Sequence, residues 1–135
     1  MDVIIVTDIE RAQSGSDGFL NCLKKAFNKR GVVHRMASYD GREYDWITEA
    51  PQHAVGVVVA DMRALSGGIT PLQLLVSSVR NVPVLAISDG SILADAENME
   101  KKEGVKDFML IEKGAIQIAE KALKIAQQPP TTPAP

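Results

Sequence analysis

The 135-residue chain carries one cysteine, one tryptophan, two histidines and only 4% aromatic residues. A lone cysteine cannot close an internal disulfide. Cys22 lies on the apolar side of an expected helix and reads as a buried thiol in a reducing compartment, so the fold must rest on packing alone. Neither His34 nor His53 has a ligand-type neighbour at metal-binding spacing, which leaves both with structural readings. No stretch approaches the roughly 20 apolar residues of a membrane span, and the N-terminus lacks the charged and apolar blocks of a signal peptide. The expected location is the cytoplasm, with no membrane partner. A net charge of −2 and a pI near 5.7 provide no global attraction for nucleic acid. Neither a Gly-x-x-x-x-Gly-Lys-Ser/Thr loop nor a Gly-x-Gly-x-x-Gly turn follows the first apolar run, so nucleotide binding has little support, although Gly67 and Gly68 could form an anion nest.

What is present is a set of short apolar runs that end in polar residues. Val3 to Val6 leads into Thr7 and Asp8, Ala54 to Ala60 into Asp61, and Val82 to Ile87 into Ser88 and Asp89. Runs this short, apolar throughout and rich in β-branched residues are strands buried on both faces. Between them fall helical patterns. Ser16 or Asp17 caps a helix with Phe19, Leu20, Leu23 and Phe27 on one face, ending near Arg30 with Gly31 beyond it. Its other face holds Lys24, Lys25, Lys29 and Arg30, read as solvated surface. Val32 to Met36 is a second strand, followed by a short helix over Tyr44 to Glu49 that Pro51 ends. Thr70 and Pro71 cap and open a helix striped by Leu72, Leu75 and Val79. A polar helix over Ala94 to Glu103 stops at Gly104, a fifth strand covers Asp107 to Glu112, and a last helix runs from Ala115 to Gln127. Ile116, Ala119, Leu123 and Ala126 share one face of that helix.

Five strands alternating with five helices predict an α/β domain over residues 1–127, with a doubly wound parallel sheet in the flavodoxin-like order 2-1-3-4-5. The proline-dense residues 128–135 read as a disordered tail or linker. In that order Asp8 and Asp61 face each other across the crevice at the carboxyl edge of the sheet, with Ser88 on the neighbouring strand. A second reading stays open for Asp61, which could simply cap the following loop or meet Arg63. Ser88, before Asp89 and Gly90, could be an ordinary turn residue.

These residues, together with Gly104 to Phe108, resemble the receiver domain of bacterial response regulators over residues 1–127. Met1 to Asp8 lies on that family's first strand and its acidic pair, with Thr7 in place of the first acid. Asp61 lies on the phosphoacceptor aspartate, Ser88 on the switch hydroxyl and Phe108 on the switch aromatic. The resemblance implies a Mg²⁺ ion held by Asp8, Asp61 and the main-chain carbonyl of Arg63, and a phosphoryl group accepted on Asp61 from a histidine kinase or phosphotransferase. Two nearby carboxylates do favour a hard divalent cation. It further implies a downstream protein target, a homodimer surface on the last helices, and no enzymatic activity beyond self-phosphorylation and dephosphorylation.

The sequence also departs from that pattern. The family's lysine falls on Ile111 and the following proline on Glu112. Lys113 comes two residues later, and would point to the same side only if the strand continues. The loop after Asp61 has Ala64, Leu65, Gly67 and Gly68 in place of the family's Met-Pro and Asp-Gly. Two alternatives therefore stand beside the phosphoaccepting receiver: a pseudo-receiver that acts by contact without phosphotransfer, and a flavodoxin-like ligand-binding domain or small enzyme.

Overall fold

The computed structural model describes residues 2–39, 55–65, 70–78, 82–89 and 105–127. Five strands form one parallel sheet: β1 (Asp2–Val6), β2 (Val33–Ala37), β3 (Val55–Asp61), β4 (Val84–Ser88) and β5 (Asp107–Leu110). Their spatial order is β2-β1-β3-β4-β5, as the alternation of elements predicts. Val6 pairs with Ala37 on one side and Ala60 on the other, and Asp61 pairs with Ile87. These registers bring Thr7, Asp61 and Ser88 to one edge of the sheet.

Both faces of the sheet are covered, which is why its central strands are apolar at every position. Val3, Ile5, Val57, Val59, Leu85 and Ile87 pack on one face against Leu20, Leu23 and Phe27 of α2 (Gly18–Lys29) and Ile118, Ala119, Ala122 and Ile125 of the last helix. Ile4, Val6, Val58, Ala60, Val84 and Ala86 pack on the other against Leu72 and Leu75 of α3 (Thr70–Ser78). The last helix, α4, spans Ala115–Gln127.

Several expectations need correction. Between Asp8 and Ser16, where the sequence shows no helical pattern, the chain forms a short helix, α1 (Ile9–Ser14). Asp8 caps it, and Gly15 ends it with a φ of 72°, a left-handed conformation cheap only for glycine. Cys22 is exposed, because the buried positions of α2 are Leu20, Leu23, Ala26 and Phe27. The core stripe of α4 is Ala115, Ile118, Ala119, Ala122 and Ile125, and Ile116 is 62% exposed. The fifth strand ends at Leu110, and Ile111–Lys113 form a 3-10 turn. Two members of the basic cluster on α2 do structural work: Lys24 donates to the Ala12 carbonyl, and Arg30 bonds the Ala26 carbonyl and Glu120. The expected helices at 44–49 and 94–103, together with His53, Gly67, Gly68, Val79, Gly104 and the 128–135 tail, lie outside the described residues.

Candidate functional site

Asp61 is the last residue of the central strand and has 0% exposure. Burying a carboxylate at the end of an apolar strand is costly unless its charge and lone pairs are matched. Here they are matched in full. The Thr7 hydroxyl donates to Oδ2 at 2.8 Å. The Arg63 guanidinium grips both oxygens, Nε on Oδ1 at 3.0 Å and NH2 on Oδ2 at 2.9 Å. The Arg63 main-chain N–H donates to Oδ1 at 3.0 Å, which makes Asp61 the cap of the 3-10 turn Met62–Ala64. An ionised carboxylate offers about four acceptor sites, and these four bonds fill them. Tyr39 adds a fifth restraint by donating to the Asp61 main-chain carbonyl at 2.9 Å.

Arg63 does not serve Asp61 alone. The same NH2 lies 3.2 Å from Oδ2 of Asp17, a carboxylate whose side chain is 7% exposed. Asp17 in turn caps α2 through the Leu20 N–H at 3.0 Å and stands 3.9 Å from NH1 of Arg11. The guanidinium carbon lies 5.2 Å from the centre of the Phe19 ring, within cation–π range. Charges therefore alternate along the line Asp61, Arg63, Asp17, Arg11. Burial by itself lowers the Arg63 pKa, but the hydrogen bonds and charges of Asp61 and Asp17 outweigh it, and the net shift is upward. The guanidinium is a permanent cation in this pocket.

The other expected site residues are placed as follows. Asp8 is partly buried and accepts the Arg11 N–H at 3.2 Å as the cap of α1. Ser88 ends β4 with 1% exposure. Strand alternation starts it from the sheet face of Val84 and Ala86, whereas Asp61 follows Val57 and Val59 on the opposite face. Phe108 pairs with Ala86 and packs, partly buried, against the core of that same face. Lys113 is exposed on the 3-10 turn, so the strand continuation that would align it with Ile111 does not occur. The structure thus brings Thr7, Asp61, Arg63 and Asp17 into one cluster and leaves Lys113 outside it.

Thr7, Asp17, Phe19 and Tyr39 carry parts of the site that the sequence reading did not assign to it. The available signal was Thr7 standing where an acid was expected, since it replaces a repelling carboxylate with a donor.

The donor set can be tested against the Mg²⁺ that receiver chemistry uses. Mg²⁺ demands near-octahedral oxygen ligation and bonds through carboxylate lone pairs. Those of Asp61 are all engaged, two of them by a fixed cation that would repel a second one. Among the described residues no group of three or more His, Cys, Asp or Glu is arranged to hold a metal. As folded, the residues do not fit the ion.

No family model and no curated protein matches the sequence. Solved structures do match its fold. A receiver domain protein from Clostridium thermocellum superposes with a TM-score of 0.69 at 20% identity, covering 93% of this chain and 94% of that one. A response regulator from Thermotoga maritima gives 0.67 at 18% identity, with 95% and 99% covered. The receiver domain of the Francisella response regulator 1452 gives 0.64 at 19% identity, with 93% and 94% covered. The fold is that of response regulator receiver domains.

Proposed function

We propose that this chain is a pseudo-receiver, a cytoplasmic signalling module of the receiver fold that acts through a protein contact rather than by accepting a phosphoryl group. The observation that carries this reading is the saturated, fully buried carboxylate of Asp61. In-line attack on a phosphoryl donor needs a carboxylate oxygen with a free lone pair and an open approach, together with cations free to offset charge on the transferred group. Asp61 has neither the lone pair nor the approach, and its cation is already spent on it. Lys113 sits on an exposed turn, which further weakens the case for phosphoryl binding. In this reading the chain is not an enzyme, and its partner is a protein rather than a nucleic acid or a membrane. Among the described residues, no helix is long and apolar enough to cross a membrane.

The phosphoaccepting receiver remains the second reading, favoured by one observation: Asp61 and Ser88 end adjacent strands, and Asp8 follows the end of β1 by two residues, at a single sheet edge. It requires Arg63 to leave Asp61 before a kinase can donate. Incubation with a small-molecule phosphodonor and Mg²⁺, followed by intact mass spectrometry, separates the two. The pseudo-receiver gains no phosphoryl mass at early or late times. A stoichiometric adduct that disappears in Asp61→Ala would overturn it in favour of the second reading.

A further inference from the structure

We infer that the Arg63 guanidinium is the resident cation of this pocket and stands in for a divalent metal, so that removing it converts the pocket into a cation-responsive site. The inference rests on the pseudo-receiver reading and supplies its physical cause. A buried carboxylate needs a positive partner, and here the partner is covalently part of the chain, two residues downstream. The short spacing matters. The 3-10 turn that Asp61 caps folds the chain back, so residue 63 presents its main-chain N–H and its side chain to the same carboxylate. Arginine suits the place better than lysine, because Nε and NH2 fill two acceptor sites of Asp61 at once while the second N–H of NH2 and the flat face of the guanidinium remain usable. Asp17 and Phe19 exploit both, at 3.2 Å and 5.2 Å.

Two carboxylates, Asp61 and Asp17, are therefore held around one guanidinium whose side chain is 14% exposed. A metal entering this pocket would have to expel that group. Without the guanidinium, both carboxylates lose their shared counter-charge while Thr7 continues to hold only one oxygen of Asp61. An electronegative oxygen pocket of that kind takes a hard divalent cation. The inference is thus that wild type ignores Mg²⁺ and Mn²⁺, and that an uncharged side chain of similar length at residue 63 creates a response to them.

The test compares wild type, Arg63→Met and the double variant Arg63→Met/Asp61→Asn, each unfolded thermally in chelator and in millimolar Mg²⁺ or Mn²⁺, with binding followed by calorimetry. Methionine keeps an unbranched side chain of similar reach without the charge. The expected result is no metal effect on wild type, a rise of about 5 °C or more for Arg63→Met, and loss of that rise in the double variant. If Arg63→Met folds only when metal is added, the inference is equally supported. It is overturned if wild type is stabilised by metal, if Arg63→Met is not, or if the double variant keeps the full response. None of these readouts involves phosphorylation. A phosphoryl adduct on wild type would sink the pseudo-receiver reading while the metal responses separately decide the role of Arg63.

Discussion

Single side chains decide both what this pocket can do and how the molecule responds to pH. His34, on the edge strand β2, tilts against Phe27 at 6.3 Å between ring centres, and its Nδ1 is buried without a hydrogen-bond partner. Burial and then the charge of Lys24 lower its pKa, with a Val32 main-chain contact opposing them. The unfolded chain, with histidine near its ordinary value of about 6.5, binds the proton more readily than the folded one. His34 therefore leaves stability intact above that value and costs stability as pH falls below it. Urea unfolding should show wild type losing more stability than His34→Leu between about pH 7.5 and about pH 5.5. Equal losses would show that His34 is not desolvated in solution. Asp61 illustrates how far one residue was legible. The run from Ala54 to Ala60 announced a buried strand ending in a carboxylate, and both the pocket and the loop-cap readings followed from that. Only the tertiary fold chooses between them, because whether Arg63 turns inward depends on Asp17 and Phe19, which lie more than forty positions away in the chain.

At the scale of elements, the hinge of the site is the junction between α1 and α2. Asp17 caps α2 and also holds Arg63, so one carboxylate fixes a helix end and positions the guanidinium over Phe19. Asp17→Ala should cost more than the roughly 1 kcal/mol of an ordinary lost cap, because Arg63 loses its second anchor as well. Asp17→Asn keeps an acceptor oxygen for the cap and should recover part of the loss. Chemical denaturation of both variants measures this, and a loss in Asp17→Ala no larger than an ordinary cap, fully recovered by Asp17→Asn, would separate Asp17 from Arg63. The cap itself was readable from Ser16 and Asp17 before an apolar stripe, as was the stop at Gly31, whose φ is 66°. α1 was not readable: six residues holding Arg11 and a single buried alanine carry too little periodicity to stand out from a loop. The last helix shows the converse limit. Its bounds follow from its sequence, but its abundance of alanine and isoleucine allows more than one apolar face. Ile116 fits an apolar face by its spacing, yet it is 62% exposed.

The whole molecule is a sheet sealed on both faces, in which the carboxyl edge of the central strands is the natural place for chemistry. The strand order was legible because short apolar runs alternating with helical patterns admit few topologies. The state of the pocket was less so, since it depends on which of several charged groups pair across the fold. An edge that could carry a metal and a phosphoryl group is instead closed by an internal ion pair, and this closure ties β1, β3 and α2 together. Breaking one half of such a buried pair costs about 3–5 kcal/mol, whereas removing both halves strands neither Asp61 nor Arg63. The measurement that bears most directly on this account is therefore a double-mutant cycle of Asp61→Asn and Arg63→Met, read by chemical denaturation in chelator. The double variant is expected to be more stable than the sum of the single losses allows, by about 2 kcal/mol or more. Additivity within about 0.5 kcal/mol would contradict it, because Asp61 and Arg63 would then not be partners in the folded protein.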